Sequence, residues 1–538
     1  MQYIALTIGP IYRTLGRARK TRELWGASYL FSRVIMQRIV KELKSNGVGS
    51  AIILPQIAAS SAPSKVGLYP DRLYMEGDHR QVLERAIENV KEELVSEFSK
   101  AECASHAQEF VDRYFYFNVV VADVDSKGQL LDTLFKYVAQ TELHQRVLPV
   151  DNLCIEKLLL RVYDTDFFEK CFGKGHRYPS LIEIATRKMV SEGVSRGKFK
   201  ELERAGKAKK KNPQSDGDED EDAIIIGIAH DGQLKAHFKQ PHKYIAVVQS
   251  DGDNVGTLLG QILASDDPDL VSAFSGALGE FARTAVEAIE NYGGEAVYAG
   301  GDDLLFFAPV LTHEGDIFRL LDRIDAIFRE KVMAHPQLTG IIDQLDKTPS
   351  MSYGVAITYY KFPLNEARDR AYEMLGQAKE EGKNRIGYHW QKHSGQHFTD
   401  VIEKRFCSQE EQNGMCVSDF YCLFLDLLKT VHARDAERLF SSFIHNLSLH
   451  KPILGPILAD TDEKKKQEKL GHYFENFYDE PLHKTAQAQA VMQDIKCLLL
   501  AAYRQASSHG DKADAAIEDV YNALRFVKFL TQKARDDD

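Results

Sequence analysis

Two acidic stretches stand about fifty residues apart: "SDGDNVG", from Ser250, and "YAGGDDLLFF", from Tyr298. Asp251 and Asp253 follow "KYIAVVQ", whose apolar, β-branched and aromatic content predicts a buried strand. Residues at i and i+2 of an extended chain point the same way, although Gly252 between them can break that regularity. In the second stretch Gly300 and Gly301 tolerate the positive φ that a tight hairpin demands, so the turn presents Asp302 and Asp303 at its tip. Carboxylates converging at about 4 to 6 Å raise one another's pKa unless a cation neutralises them. Magnesium suits such a site, since it takes hard oxygen ligands, often one or two carboxylates with water and substrate phosphates. Two ions bridged by Asp251, Asp302 and Asp303 could activate a 3'-hydroxyl and stabilise displacement at an α-phosphate, which is nucleotidyl transfer. Alone, "GGDD" is a common exposed turn, and the strand-borne "DGDN" is what gives it meaning. A calcium loop does not fit, because Ile262 occupies the twelfth position from Asp251, where an EF-hand needs Glu. Lys379 and Lys383, four apart in the helix-forming "LNEARDRAYEMLGQAKEEGKNRIGYH", share a helical face and could meet a triphosphate, although exposed Glu/Lys helices carry such lysines routinely.

The elements around the acids must bring them together. "VGTLLGQILA" and "LVSAFSGALGEFARTAVEAIENYGG" supply crossover helix between the two strands, and a β-α-β-β order then sets the acidic tips side by side. Upstream, "YIALTIG", a helical segment from Thr21 to a glycine stop, "SAIILPQ", a second helix and "YFYFNVVVADV" alternate as α/β, the pattern of a ferredoxin-like module. The two α/β units read as one fold used twice. Between them lies a helical region ending in "KAKKKNPQSDGDEDED", Lys207 to Asp222, which reads as a solvated loop or as lysines that touch nucleic acid. Beyond His389 the chain turns helical. The expected division is 1–125, 126–240, 241–392 and 393–538.

Composition bounds the rest. The 538 residues allow about two to four domains, and the net charge of -11 confines any nucleic-acid contact to a local groove. Seven scattered cysteines without a CxxC pair predict reduced thiols. With neither a signal peptide nor an apolar run of about 18 residues, no membrane partner and a cytoplasmic location are expected.

"ALTIGPIYRTLGRARKTRELWGASYLFS", "GLYPDRLYMEG", "SDGDNVG", "YAGGDDLLFF" and "AKEEGKN" together resemble the Cas10 family, in particular Cmr2-type large subunits of type III-B CRISPR effector complexes. The resemblance spans most of the first 390 residues in the family's order. It implies two ferredoxin-like palm domains, a helical insertion and a C-terminal helical bundle. It also implies a template-independent palm nucleotidyltransferase in antiviral defence, switched on when guide crRNA captures target RNA. The product would be cyclic oligoadenylate made from ATP, with other Cmr subunits as partners. Carried over, Asp251, Asp302 and Asp303 hold two Mg²⁺ or Mn²⁺ ions. Asp253, Asn254, Gly300, Gly301 and Lys379 or Lys383 bind the nucleotide.

The departures from the family pattern matter as well. "YIALTIGPIYR" has no carboxylates, so the first palm should be a half without metal. No HD nuclease segment precedes it, and His230–Asp231 reads as loop, so DNA cleavage is not expected. Cys154, Cys171 and His176 form no recognisable tetrahedral set, and Cys407, Cys416 and Cys422 read as core or loop thiols, so no zinc is expected. Three other readings stay open: conjugation of AMP to S-adenosylmethionine, an inert scaffold, and a diguanylate cyclase related through its "GGDEF" turn, here altered by Leu304.

Overall fold

Residues Tyr3 to Gly9 of the first strand are all screened from solvent on both faces, the mark of a central strand. The computed structural model describes residues 1–56, 65–103, 105–125, 129–143, 153–209, 220–265, 267–404, 419–430, 436–478, 481–506 and 512–534. The first sheet holds β1 (Gln2–Gly9), β2 (Ile52–Leu54), β3 (Arg72–Glu76) and β4 (Tyr116–Asp123) in the order β2-β3-β1-β4, every neighbouring pair antiparallel. Helix from Thr21 to Ser45, with wider turns over Leu30–Gln37, joins β1 to β2, and the helix Arg80–Phe98 follows β3. This β-α-β-β-α-β connectivity is the ferredoxin-like arrangement.

The second sheet repeats it. It contains β5 (Tyr244–Asp253), β6 (Glu295–Gly300), β7 (Asp303–Pro309), β10 (Ser350–Tyr359), β11 (Arg385–Gln391) and β12 (His397–Glu403), while the two-residue strands β8 (Leu311–Thr312) and β9 (Gly315–Asp316) pair with each other. Its order is β12-β11-β10-β5-β7-β6, so β6-β7-β5-β10 reproduces the first sheet. Helices Val255–Ala264 and Pro268–Tyr292 make the crossover. Asp267 caps the second of these through the Asp269 N–H at 2.9 Å, and Gly293, at φ 102°, ends it. Apolar side chains of both sheets and their helices form one continuous core.

Three expectations change. First, the helix carrying Lys379 ends at Glu380. Gly382, Lys383 and Asn384 all have positive φ, and β11 follows, so Lys383 lies past the helix and shares no face with Lys379. A glycine stop followed by "RIGYHWQ" carries that signal, which the long Glu/Lys run masks. Second, β12 belongs to the second sheet, so that unit runs beyond residue 392. Third, Cys422 is disulfide-bonded, while Cys103, Cys154, Cys171 and Cys497 are free thiols; a bond set by folded geometry leaves no spacing motif.

Elsewhere, the stretch Lys207–Asp222 is bracketed by helices Arg196–Lys207 and Glu221–His230, and its residues 210–219, like Cys407 and Cys416, lie outside the described residues. His230 closes a helix, and Asp231 accepts N–H bonds from Gln233 and Leu234, both at 3.0 Å. The C-terminal helix Lys512–Thr531 packs on the second palm, with Phe529 against Tyr244 and Trp390. Among the described residues no helix is long and apolar enough to cross a membrane.

Candidate active site

Strand pairing alone brings the acids together. Ser250 of β5 lies opposite Leu304 of β7, and one further residue along each strand sets Asp251 beside Asp303. Gly300 pairs with Asp303 across a two-residue turn. Gly301, the first residue of that turn, has φ 77°, which glycine adopts without the cost a side chain would carry. Gly252 serves a different need: a Cβ there would collide with the Asp302 carboxylate and with Val255. Its bare backbone lets Asp302 lie against β5.

Asp251, Asp302 and Asp303 thus share one corner, and the electrostatics register it. Burial, then repulsion from Asp251, pushes Asp302 up to about 6, while Lys379 and the Gly252 N–H work the other way. Asp303 rises well above the ordinary carboxylate range through burial, Asp251, Asp302 and Asp71 in that order. Asp71 comes from the first palm, where it immediately precedes β3 as Asp302 immediately precedes β7. Lys379 ion-pairs with Asp251. Among the described residues no three His, Cys, Asp or Glu side chains close into one ligand set, the acids here included. The donor chemistry nonetheless fits divalent ions: hard carboxylate oxygens whose charge repulsion exceeds what a single lysine offsets.

Asp253 and its neighbours do something different. Asp253 is 1% exposed. Its Oδ2 accepts hydrogen bonds from Ser350 Oγ at 3.0 Å, Ser352 Oγ at 2.7 Å and the Asn384 N–H at 2.8 Å. The sequence groups it with nucleotide ligands, but this carboxylate ties the end of β5 to the start of β10 and to the Gly382–Asn384 loop. Asn254, at φ 58°, donates through Nδ2 to the Thr348 carbonyl at 3.2 Å and accepts from Lys383 Nζ at 3.0 Å. Successive left-handed residues cost energy and persist where surrounding bonds hold them. Here Asp253 and the Asn384–Lys404 backbone contacts are those bonds. Lys404 in turn is buried against Asp325, at 2.6 Å, with Tyr353 donating to the same aspartate at 2.9 Å.

Asp303 sits at the edge of a cavity of about 900 Å³ between the palms, walled by β1, β4 and Asp71 on one side and by Gln249, Tyr298 and Leu305 on the other. The palms are joined beside it: the Ala299 N–H donates to the Gly67 carbonyl at 3.0 Å, and Ser28 Oγ to that of Val297 at 3.1 Å.

Two family models match the chain, "Cas10/Cmr2, second palm domain" over residues 244–387 and "CRISPR-associated protein Cmr2, N-terminal" over residues 3–102. The two matched regions are domains of the Cas10/Cmr2 family. The CRISPR system Cmr subunit Cmr2 of Pyrococcus furiosus is 24% identical over 225 residues, covering 37% of this chain and 24% of that protein, so the match spans about a quarter of the relative's length. Among solved structures, type III-B Cmr-beta in its apo state covers 88% of this chain and 77% of its own, at 12% identity and TM-score 0.54. Cmr-beta bound to cognate target RNA also covers 88% of this chain and 78% of its own, at 11% identity and TM-score 0.53. Those likenesses are of fold.

Within this Cas10/Cmr2-type palm, the structure brings together Asp251, Gly300, Gly301, Asp302, Asp303 and Lys379, and sets Asn254 and Lys383 at the rim. Sequence reasoning misses Asp71, though it lies inside "GLYPDRLYMEG". Only the equivalence of the two palms, visible as a repeated strand order, points to it. It also misses Ser350 and Ser352, whose alternation in "SMS" puts both on the face that meets Asp253.

Proposed function

We propose that the second palm performs Mg²⁺- or Mn²⁺-dependent adenylyl transfer from ATP. In this reading the chain, as a subunit of a type III CRISPR complex with other Cmr subunits and guide crRNA, makes cyclic oligoadenylate when target RNA binds. The observation that carries the reading is the strand pairing that sets Asp251 beside Asp303 and Asp302 against Gly252, next to a cavity that both palms build.

Asp251, Asp302 and Asp303 would hold the two ions, which supply charge neutralisation and activation of the attacking hydroxyl. Lys379, now on Asp251, lies where it can turn to phosphate oxygens once that carboxylate is otherwise engaged. Lys383 projects from the strained loop and is held by Asn254 for the same use. Gly300 and Gly301 keep the hairpin backbone close to the nucleotide. Asp253 positions the loop, so its effect on chemistry runs through Lys383.

The test is mass spectrometry of the products formed by the reconstituted complex with target RNA and ATP, with and without S-adenosylmethionine. A ladder of cyclic adenylates is expected, and an AMP adduct of S-adenosylmethionine would reassign the acceptor. A double Asp302→Ala, Asp303→Ala variant that still turned over nucleotide would remove the second palm from the chemistry. GTP consumption in place of ATP would favour the diguanylate cyclase reading.

A further inference from the structure

Two of the most exposed large side chains meet across the palms. Tyr12, from the short helix Ile11–Leu15 after β1, is 64% exposed, and Tyr372, from the helix Leu364–Glu380, is 54% exposed. Their rings touch edge to face, with centroids 5.7 Å apart and planes at 65°. Four residues after Tyr12 and four before Tyr372, a Cβ at Gly16 would meet the Arg368 guanidinium at 3.7 Å, so the two segments run antiparallel over one stretch. Scattered exposed aromatics need no explanation. Here, two from different domains converge at one place, and it is the edge of the catalytic corner.

Tyr12 lines the inter-palm cavity together with Asp71, Tyr298 and Asp303. Tyr372 precedes Lys379 by seven residues, two turns on the same helical stripe and about 10 Å along the axis. Lys379 reaches Asp251. One stripe of one helix therefore carries an open aromatic ring at one end and the cation of the acidic corner at the other.

We propose that Tyr12 and Tyr372 form a base-stacking clamp, taking the purine of a nucleotide whose phosphates run toward Lys379 and the acids. This rests on the nucleotidyl-transfer reading and adds to it where the base sits. An edge-to-face pair leaves ring faces open, and every nucleobase has a π-face to lay on one. The tyrosines touch the base, so they set affinity and base preference, leaving bond making to the acids.

The experiment is calorimetric titration of the full chain with ATP, CTP and inorganic tripolyphosphate, for wild type, Tyr12→Ala, Tyr372→Ala and the two Tyr→Phe variants. Thermal melts confirm that each variant is folded, as expected for such exposed positions. Stacking on aromatic side chains predicts that each Ala variant weakens ATP binding by about 5- to 150-fold, that Phe retains it, and that tripolyphosphate affinity does not move. CTP, with the smaller base, should bind wild type more weakly and lose less. Unchanged ATP affinity in both Ala variants, or equal losses for ATP and tripolyphosphate, overturns the clamp while leaving the transfer reading standing. Wild type that binds tripolyphosphate but shows no preference for ATP overturns the clamp as well, and failure to bind either ligand overturns both.

Discussion

Replacing Asp302 by Asn should stabilise the metal-free protein at neutral pH, the opposite of what removing a well-placed polar group normally does. The Asp302 carboxyl stands at about 6 in the folded chain against an ordinary 3.8. In the unfolded chain the proton leaves first as pH rises. The unfolded state therefore holds fewer protons between those values, and stability falls with rising pH from about 3.8 to about 6, then levels. That interval, at about 1.4 kcal/mol per pH unit, sets a ceiling of about 3 kcal/mol on what the ionised carboxylate costs the fold at pH 7.5. Because the chain has several domains, a single unfolding free energy is not defined for it. The readout is hydrogen exchange of β5 and β7 peptides, with chelator present, at pH 5 and pH 7.5. Tenfold or greater added protection is expected for Asp302→Asn at pH 7.5, shrinking to about half in free-energy terms at pH 5. Adding Mg²⁺ should protect wild type more than the variant. Exchange in the variant that is equal to or faster than wild type at pH 7.5 would refute the claim that the acidic corner stores repulsion for a cation.

Three more outcomes follow from the same geometry. Asp253→Ala removes the acceptor of three hydrogen bonds from a site that is 1% exposed, so exchange in the Gly382–Asn384 loop should rise by the equivalent of about 1 to 3 kcal/mol, with the β6–β7 hairpin unaffected. Gly252→Ala drives a Cβ into Asp302, and nucleotide turnover should fall at least tenfold while circular dichroism stays that of wild type. Lys404→Met leaves the largely buried Asp325 carboxylate with Tyr353 but without its cation, so exchange in the surrounding β10 and β12 peptides should rise by the equivalent of about 3 kcal/mol or more.

Much of this was legible in the residues, and what escaped did so for identifiable reasons. The β5 and β7 strands are long apolar runs interrupted by Gly-Asp pairs, so local composition located both acidic tips. Placing them side by side needed only the crossover between them. The tether made by Asp253 was hidden because Asp251 and Asp253 look alike in "SDGDN": which carboxylate meets Ser350 and Ser352 depends on register against β10, a non-local property. β11 was hidden because "AKEEG" favours helix and the three positive-φ residues after it include two, Lys383 and Asn384, that are not glycine. Asp71 and Tyr12 carry no local signal, since their proximity to Asp303 arises only when two domains are docked.

The hydrogen bond from Ala299 to Gly67 lies one residue from Gly300, at the base of the acidic hairpin. β6, the outer arm of the hairpin whose turn presents Asp302 and Asp303, is therefore anchored at one flank to β7 and at the other to the neighbouring palm. A small slide of the first palm, from whatever docks on its outer surface, pulls on that strand directly and changes the spacing of the carboxylates without repacking the second palm's core. The hairpin is in effect a string stretched between two frames, and its tuning is set by how far apart they are held.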